Sequence, residues 1–377
     1  AAEPDRAAAS ARAGAWRRRN LVWNEDGKDV IVSFNTIYDA CARAEDFIAD
    51  YHKGKVALHE IQLAYPIEDD DVVAIFKDTV RKLADGGQRA RVCLFDIVSS
   101  NPGLLFPWEE MVRACRELGV LSLVDGAQGI GMVPIDLAAN EPDFLVTNCH
   151  KWLFTPRGCA VFHVPERNHD LIPSSLATAR GYVPKSRDAD RTQPMPGGGG
   201  KNHFERNFEW VGTKDDSPYF CVRDAIRWRR DVLGGEERIM AYLRELNKRG
   251  IKLVADMLGT EYLDNNSGTL TNCGMGNVAL PLWVSPPTTA AAAGTGTAAK
   301  EVPEGHTLLS AEDAQEAFNW MNRTMMEEYK TFMALWVRWG RFWVRISAQV
   351  YLEDADYEFG GRVLRELCGR VAAGEYK

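Results

Sequence analysis

The stretch LVTNCHKWLFTPRG (145–158) closes an apolar run with a His-Lys pair and follows it at once with Trp. An isolated lysine ordinarily snorkels from a strand end to water. Inside a cleft the same side chain loses solvent, its pKa falls, and it becomes a nucleophile or a base. A second apolar run, in VLSLVDGAQG, ends at Asp125, 26 residues before Lys151 (151 minus 125). Taken singly, an Asp there is a turn or cap residue. The pair means more than either member. A lysine that forms a Schiff base with pyridoxal phosphate needs a carboxylate opposite the pyridinium nitrogen, which then stays protonated and lets the ring accept the electrons left on Cα.

Four apolar runs share one grammar. DVIVSF (29–34) ends before NTIYDA, VCLFDIV (92–98) before SSNPG, VLSLV (120–124) before DGAQG, and DFLVT (143–147) before NCHKW. Each is short and apolar on both faces, as strands of a covered parallel sheet are. PWEEMVRACRELG, between the second and third, predicts a helix: Pro107 starts it, Met111, Val112, Cys115 and Leu118 fall at helical spacing, and Gly119 stops it. That makes a βαβ unit in an α/β fold. Open sheets of this kind bind ligands beyond the carboxyl ends of their strands. Waiting there are Tyr38, Ser100, Asp125 with Gln128, and Asn148 to Lys151.

Beyond them, GCAVFHV (158–164) reads as a returning strand, and 180–204, charged and then Pro- and Gly-rich, as a long loop. The pattern turns helical from Pro218. Short strands NVALPLWV (277–284) and RFWVRISA (341–348) follow, with a low-complexity insertion at 285–305 between them. We expect a large cofactor-binding domain over 1–225 and a small C-terminal domain over 226–377. A chain of 377 residues with 45% hydrophobic and 26% charged residues is globular in composition. Its net charge of −8 disfavours nucleic acid as a partner. Eight cysteines without CxxC pairs predict reduced, mostly buried thiols and no metal site. No apolar stretch is long enough to span a membrane, and a cytoplasmic location is expected.

LVDGAQGIGMVPIDL (123–137), DFLVTNCHKWLFTPRGCAVFHV (143–164), FEWVGTKDDSPY (208–219) and WVRISAQVYLEDADYEF (343–359) resemble the class V aminotransferase family of pyridoxal-phosphate enzymes, in particular its hercynylcysteine sulfoxide lyase and isopenicillin N epimerase branch. The resemblance runs from about Asp29 to the C-terminus. It implies an aspartate-aminotransferase-like (fold type I) architecture, with a mainly parallel sheet in the large domain, a smaller α+β C-terminal domain, and a homodimer that shares its active sites. By the same resemblance Lys151 carries the cofactor, Asp125 faces the pyridine nitrogen, and Gln128 donates to the phenolic oxygen. Asn148 and His150 lie where the family contacts the phosphate, and Gly212 and Thr213 look like the phosphate contact lent by the other subunit. Arg345 resembles the arginine that grips the substrate α-carboxylate. Tyr38 matches a tyrosine over the cofactor's face and is a candidate proton donor or orienter; a core tyrosine is the alternative. Ser100 is a further cofactor-side candidate, although SSNPG also reads as an ordinary turn. The family's N-terminal phosphate cradle, a Gly/Thr turn opening a helix, should fall just before Asn20, where ARAGAWRRR stands with Gly14 but no threonine. We therefore expect a truncated or altered beginning, in preference to a transit-like segment.

Such a cofactor permits transamination, racemisation, decarboxylation and β-elimination alike. Persulfide chemistry would need a cysteine shortly before Arg345, and none lies between Cys273 and Cys368. The expected reaction is C–S cleavage of a cysteine sulfoxide conjugate, hercynylcysteine sulfoxide in ergothioneine biosynthesis, giving pyruvate and ammonia. Trp108, Trp152, Tyr182, Phe208 and Trp210 are candidates to cage its trimethylammonium group. The alternatives are an amino-acid epimerase of the isopenicillin N type and a cofactor-free scaffold relative.

Overall fold

A computed structural model describes residues 23–172, 174–175, 202–209, 211–285 and 302–377. The reading of Gly14 and of residues 1–22 therefore lies outside the described residues, as does most of the 180–204 loop and of the 285–305 insertion.

The large sheet has six strands in the order β2-β1-β3-β6-β7-β8. They are β1 (Asp29–Phe34), β2 (Val56–Ile61), β3 (Arg89–Asp96), β6 (Leu121–Asp125), β7 (Phe144–Asn148) and β8 (Ala160–His163). All pairs are parallel except β7 with β8. The four apolar runs of the sequence are β1, β3, β6 and β7, adjacent and parallel as expected. Every residue of β1 is buried, which explains why apolar side chains occupy both of its faces at Val30, Ile31, Val32 and Phe34. β2 escaped the sequence reading because it is an edge strand, VALHEI, whose middle positions face partly outward.

Helices cross between the strands: α1 (Asp39–Tyr51), α2 (Asp69–Asp85) and α3 (Trp108–Leu118). α3 buries Trp108, Met111, Val112, Ala114 and Cys115, and Gly119 ends it in the left-handed conformation. A small hairpin, β4 (Val98–Ser100) and β5 (Gly103–Leu105), separates β3 from α3. Two single-turn helices follow: α4 (Leu137–Asn140), and α5 (Cys149–Trp152) directly after β7.

After α6 (His203–Glu209) come α7 (Ser217–Asp231) and α8 (Glu236–Leu258), then a four-stranded sheet in the order β10-β9-β12-β11. Its strands are β9 (Met275–Val284), β10 (Thr307–Leu309), β11 (Ala334–Arg338) and β12 (Arg341–Ser347), covered by α9 (Ala311–Glu327) and α10 (Asp354–Ala372). β9 and β12 match the two expected strands to within two residues. On β12, Phe342 and Val344 face the main core, while Arg341, Trp343 and Arg345 alternate with them.

One buried acid sits under β1. Glu45 of α1 is 7% exposed; Ser33 Oγ donates to its Oε2 at 2.9 Å, and Oε1 has no partner. Burial outweighs the serine bond and raises its pKa from 4.5 to about 7. The folded state thus favours the neutral carboxyl. Its contribution to stability is full below 4.5 and is lost as pH rises through about 7. Glu45→Gln, which cannot ionise, is expected to gain thermal stability relative to wild type between pH 5 and pH 8; an unfolding midpoint difference that does not change with pH would refute this.

Candidate active site at the strand ends

From β1 the chain steps outward to the edge strand β2, then returns past β1 to β3. That reversal opens a crevice at the carboxyl ends of β1 and β3. The turns after β1, β3, β6 and β7 surround it.

Asp125 is the last residue of β6. Its Oδ1 accepts from the Ala127 N–H (2.8 Å), and the thiol of Cys41 on α1 lies 3.5 Å from Oδ2. The following turn is tied to β7 by the Gly126 N–H to the Val146 carbonyl (2.6 Å) and by Thr147 Oγ1 to the Gly126 carbonyl (2.6 Å). Burial and the Asp125 charge push the Cys41 thiol up to about 12, so it stays protonated. Asp96 ends β3 in register with Asp125. It is 6% exposed, and its pKa is raised well above the carboxylate range by burial and by Asp125, against the opposing pull of Lys151. Neither Cys41 nor Asp96 was singled out in the sequence. The signal was an acid closing the apolar run VCLFD, which gains meaning only when β3 is known to pair with β6.

Lys151 sits half-buried on α5 and, among the described residues, makes no hydrogen bond or ion pair. Desolvation lowers its pKa; Asp125 and Asp96 oppose the shift, and Arg345 reinforces it. Beside it, the Nδ1 of His150 is buried without a partner, and Asn148 precedes α5 without capping it. Gln128 accepts at Oε1 from the indole N–H of Trp152 (2.7 Å).

Arg345 reaches the same region from β12. Its Nη1 donates to the Ser100 carbonyl (2.6 Å) and to Ser100 Oγ (3.1 Å), and its Nε is buried and unpaired. Burial lowers its pKa, and among the described residues no carboxylate offsets the cost. The side chain passes so close to β5 that a Cβ on Gly103 would lie 2.7 Å from Arg345 Cδ.

The structure thus brings Asp125, Gln128, Asn148, His150, Lys151, Ser100 and Arg345 into one cleft region or its immediate wall. Tyr38 is different: it precedes α1 and is 53% exposed, unlike a core tyrosine. Gly212 and Thr213 lie exposed in the turn before α7, with Gly212 at φ +96°. No described contact joins them to Lys151. Two cage candidates are corrected: Trp108 and Trp152 are each 4% exposed and belong to the core. Phe208 packs with Phe204 and Phe162 away from these contacts, and Tyr182 and Trp210 lie outside the described residues. Cys273 is buried, its thiol raised to about 12 by burial, as a structural cysteine should be.

The donor set fits a charged heterocycle that carries an aldehyde and a phosphate. It offers an amine without a counter-ion in contact, a carboxylate fixed by a backbone N–H, a buried orphan imidazole nitrogen and an unpaired guanidinium nitrogen.

The aminotransferase class-V family model matches residues 65–180. The chain is 33% identical over 357 residues to an L-cysteine desulfhydrase-like protein, lolT2, of Epichloe uncinata, covering 92% of this chain and 75% of that one. It is 30% identical over 347 residues to hercynylcysteine sulfoxide lyase of Schizosaccharomyces pombe, covering 92% and 74%. Among solved structures it is similar to C-DES with glycine covalently linked to the PLP cofactor, with a TM-score of 0.62 at 16% identity over 96% of this chain and 78% of that one. The chain belongs to the class-V aminotransferase family of fold-type I enzymes, and its cofactor is pyridoxal phosphate.

With the cofactor removed, Lys151 is expected to react with an amine-selective acylating reagent at lower pH than exposed lysines. Asp125→Asn, which removes a charge that holds the ammonium, should lower that pH further. Peptide mapping by mass spectrometry reads both, and labelling of Lys151 in step with the surface lysines would contradict the desolvated site.

Proposed function

We propose that the protein is a carbon–sulfur lyase that cleaves cysteine derivatives by β-elimination, with hercynylcysteine sulfoxide, an intermediate of ergothioneine biosynthesis, as the substrate. The observation that carries the reading is Arg345, a buried guanidinium with an unpaired nitrogen whose charge is felt at Lys151. It suits an α-carboxylate, and the relatives named for cysteine desulfhydration and sulfoxide cleavage suit a substrate with sulfur on Cβ.

Pyridoxal phosphate, when bound, supplies an aldehyde that joins amines and a ring that accepts an electron pair from Cα. Asp125 would hold the proton on the ring nitrogen, Gln128 would donate to the phenolic oxygen, and His150 and Asn148 would hold the phosphate. Ser100 fixes the arginine that receives the substrate. Lys151 would take the Cα proton; burial lowers its pKa, which favours the neutral amine that such a base requires. The Cβ–S bond would then break with its electron pair on sulfur, and Tyr38 would give the leaving group a proton. The three-carbon remainder takes up water to give pyruvate and ammonia. We further infer a cytoplasmic homodimer in which Gly212 and Thr213 complete the phosphate site of the other subunit; their exposure and lack of contact with Lys151 in their own chain support this.

A second substrate deserves a separate assay because of the desulfhydrase-like relative: free cysteine, which would release sulfide in place of a sulfenate. The cofactor-loaded protein is expected to form pyruvate from the sulfoxide, with visible absorbance that borohydride or Lys151→Ala abolishes. Sulfide from cysteine at the higher kcat/KM would shift the substrate. Solvent exchange at Cα without pyruvate would overturn the lyase reading in favour of an epimerase.

Gly103→Ala offers a sharper test of the carboxylate site. The added methyl must displace Arg345, and loss of a charged hydrogen-bond pair is worth roughly 1.5–3 kcal/mol, or about ten- to a hundredfold in KM. Cofactor binding should be unchanged. An unaltered KM would show that Arg345 does not hold the substrate.

A further inference from the structure

Arg229 of α7 is fully buried, at 0% exposure, and its whole guanidinium is engaged. Nη1 donates to the Trp152 carbonyl (2.6 Å) and Nη2 to the Gly131 carbonyl (2.8 Å). Nε and Nη2 also clasp both oxygens of Glu236, at the start of α8, at 2.6 Å each. The cation's remaining face lies 4.8 Å from the Phe154 ring centre.

The two carbonyls belong to the two turns that carry the cofactor-facing residues. Gly131 closes the turn that begins at Asp125 and contains Gln128; Trp152 directly follows Lys151. The turns touch where only glycine fits, since a Cβ at Gly131 (φ +81°) would lie 2.5 Å from the Trp152 carbonyl oxygen. A third tie completes the clasp: the Trp152 indole donates to Gln128 Oε1 (2.7 Å). An indole N–H can only donate, so it fixes the amide's orientation and leaves the Gln128 NH₂ facing away as a donor.

We propose that Arg229 is a positioning residue of the lysine site, holding the Asp125–Gln128 turn and the Lys151 turn in a single register. α5 is one turn long and cannot be stable by itself. Its terminal carbonyl is buried and needs a donor. A planar fork can meet two carbonyls and a carboxylate at once; an ammonium cannot. The role of this clasp in the reaction rests on the reading of Lys151 and Gln128 above, but the clasp itself does not.

Two measurements separate these. In the cofactor-free protein, Arg229→Lys should speed amide hydrogen exchange in residues 127–132 and 149–153 by about tenfold or more, while α9 and α10 keep their protection. In the cofactor-loaded protein, the same variant should shift the pH midpoint of the visible absorbance. It should also lower kcat by up to about a hundredfold, as misplaced reacting groups do, with little change in KM. Trp152→Phe, which removes only the indole donor, should shift the midpoint in the same direction by less; it serves in place of Arg229→Lys if that variant does not fold. Unchanged exchange in both turns overturns the clasp. Faster exchange with an unmoved midpoint and kcat reduces Arg229 to a fold-stabilising residue and overturns the proposal. Absence of Lys151-dependent absorbance in wild type would instead sink the reading of the site, leaving the exchange result to stand.

Discussion

The site depends on one electrostatic constraint: an ammonium, two carboxyls and a guanidinium held in a desolvated cleft with few of their charges directly paired. Among the described residues Lys151 makes no ion pair, Asp96 is buried beside Asp125, and Arg345 is buried with only Ser100 as a hydrogen-bond partner. Such an arrangement is expensive for a fold and is retained where chemistry needs shifted pKa values. The cost is borne by geometry. In-register parallel strands bring Asp96 and Asp125 side by side, and the switch in strand order opens the crevice that a bound ring would fill.

The surrounding structure makes that cleft rigid. The turn after β6 is tied to β7 through Gly126 and Thr147, and Arg345 is threaded past Gly103 onto Ser100. Arg229 gathers the carbonyls next to Gln128 and Lys151 from behind. Each tie includes a hydrogen bond to backbone, so it fixes where a turn lies and leaves the side chains on its open side available to ligand. The small sheet takes part through β12, whose alternate residues divide between the main core and Arg345.

Much of this was legible from residue order. The alternation of apolar runs with turn residues defined β1, β3, β6 and β7, because strands covered on both faces are hydrophobic throughout. Asp125 and Lys151 were readable because the first ends such a run and the second follows one within a few residues. β2 was not, since this edge strand is only partly buried and carries His59 and Glu60 within its run. Cys41, Asp96 and Arg229 were not, because a cysteine in an amphipathic helix, an acid before a turn and an arginine in a basic helix look ordinary in one dimension. Trp152 was read as a ligand-facing aromatic and proved to be a core residue with a polar errand, its indole N–H directed at Gln128.

The sequence by itself determined the family, the cofactor and the parallel sheet, and it singled out Asp125 and Lys151 as candidates, because these rest on local patterns: hydrophobic runs, turn chemistry and short motifs. Only the tertiary structure decided which charges share a dielectric environment and which backbone groups are held by distant side chains. Asp96 meets Asp125 across 29 residues (125 minus 96), and Arg229 meets Gly131 across 98. Burial and proximity over such separations are properties of the packed chain. No window along the sequence contains them.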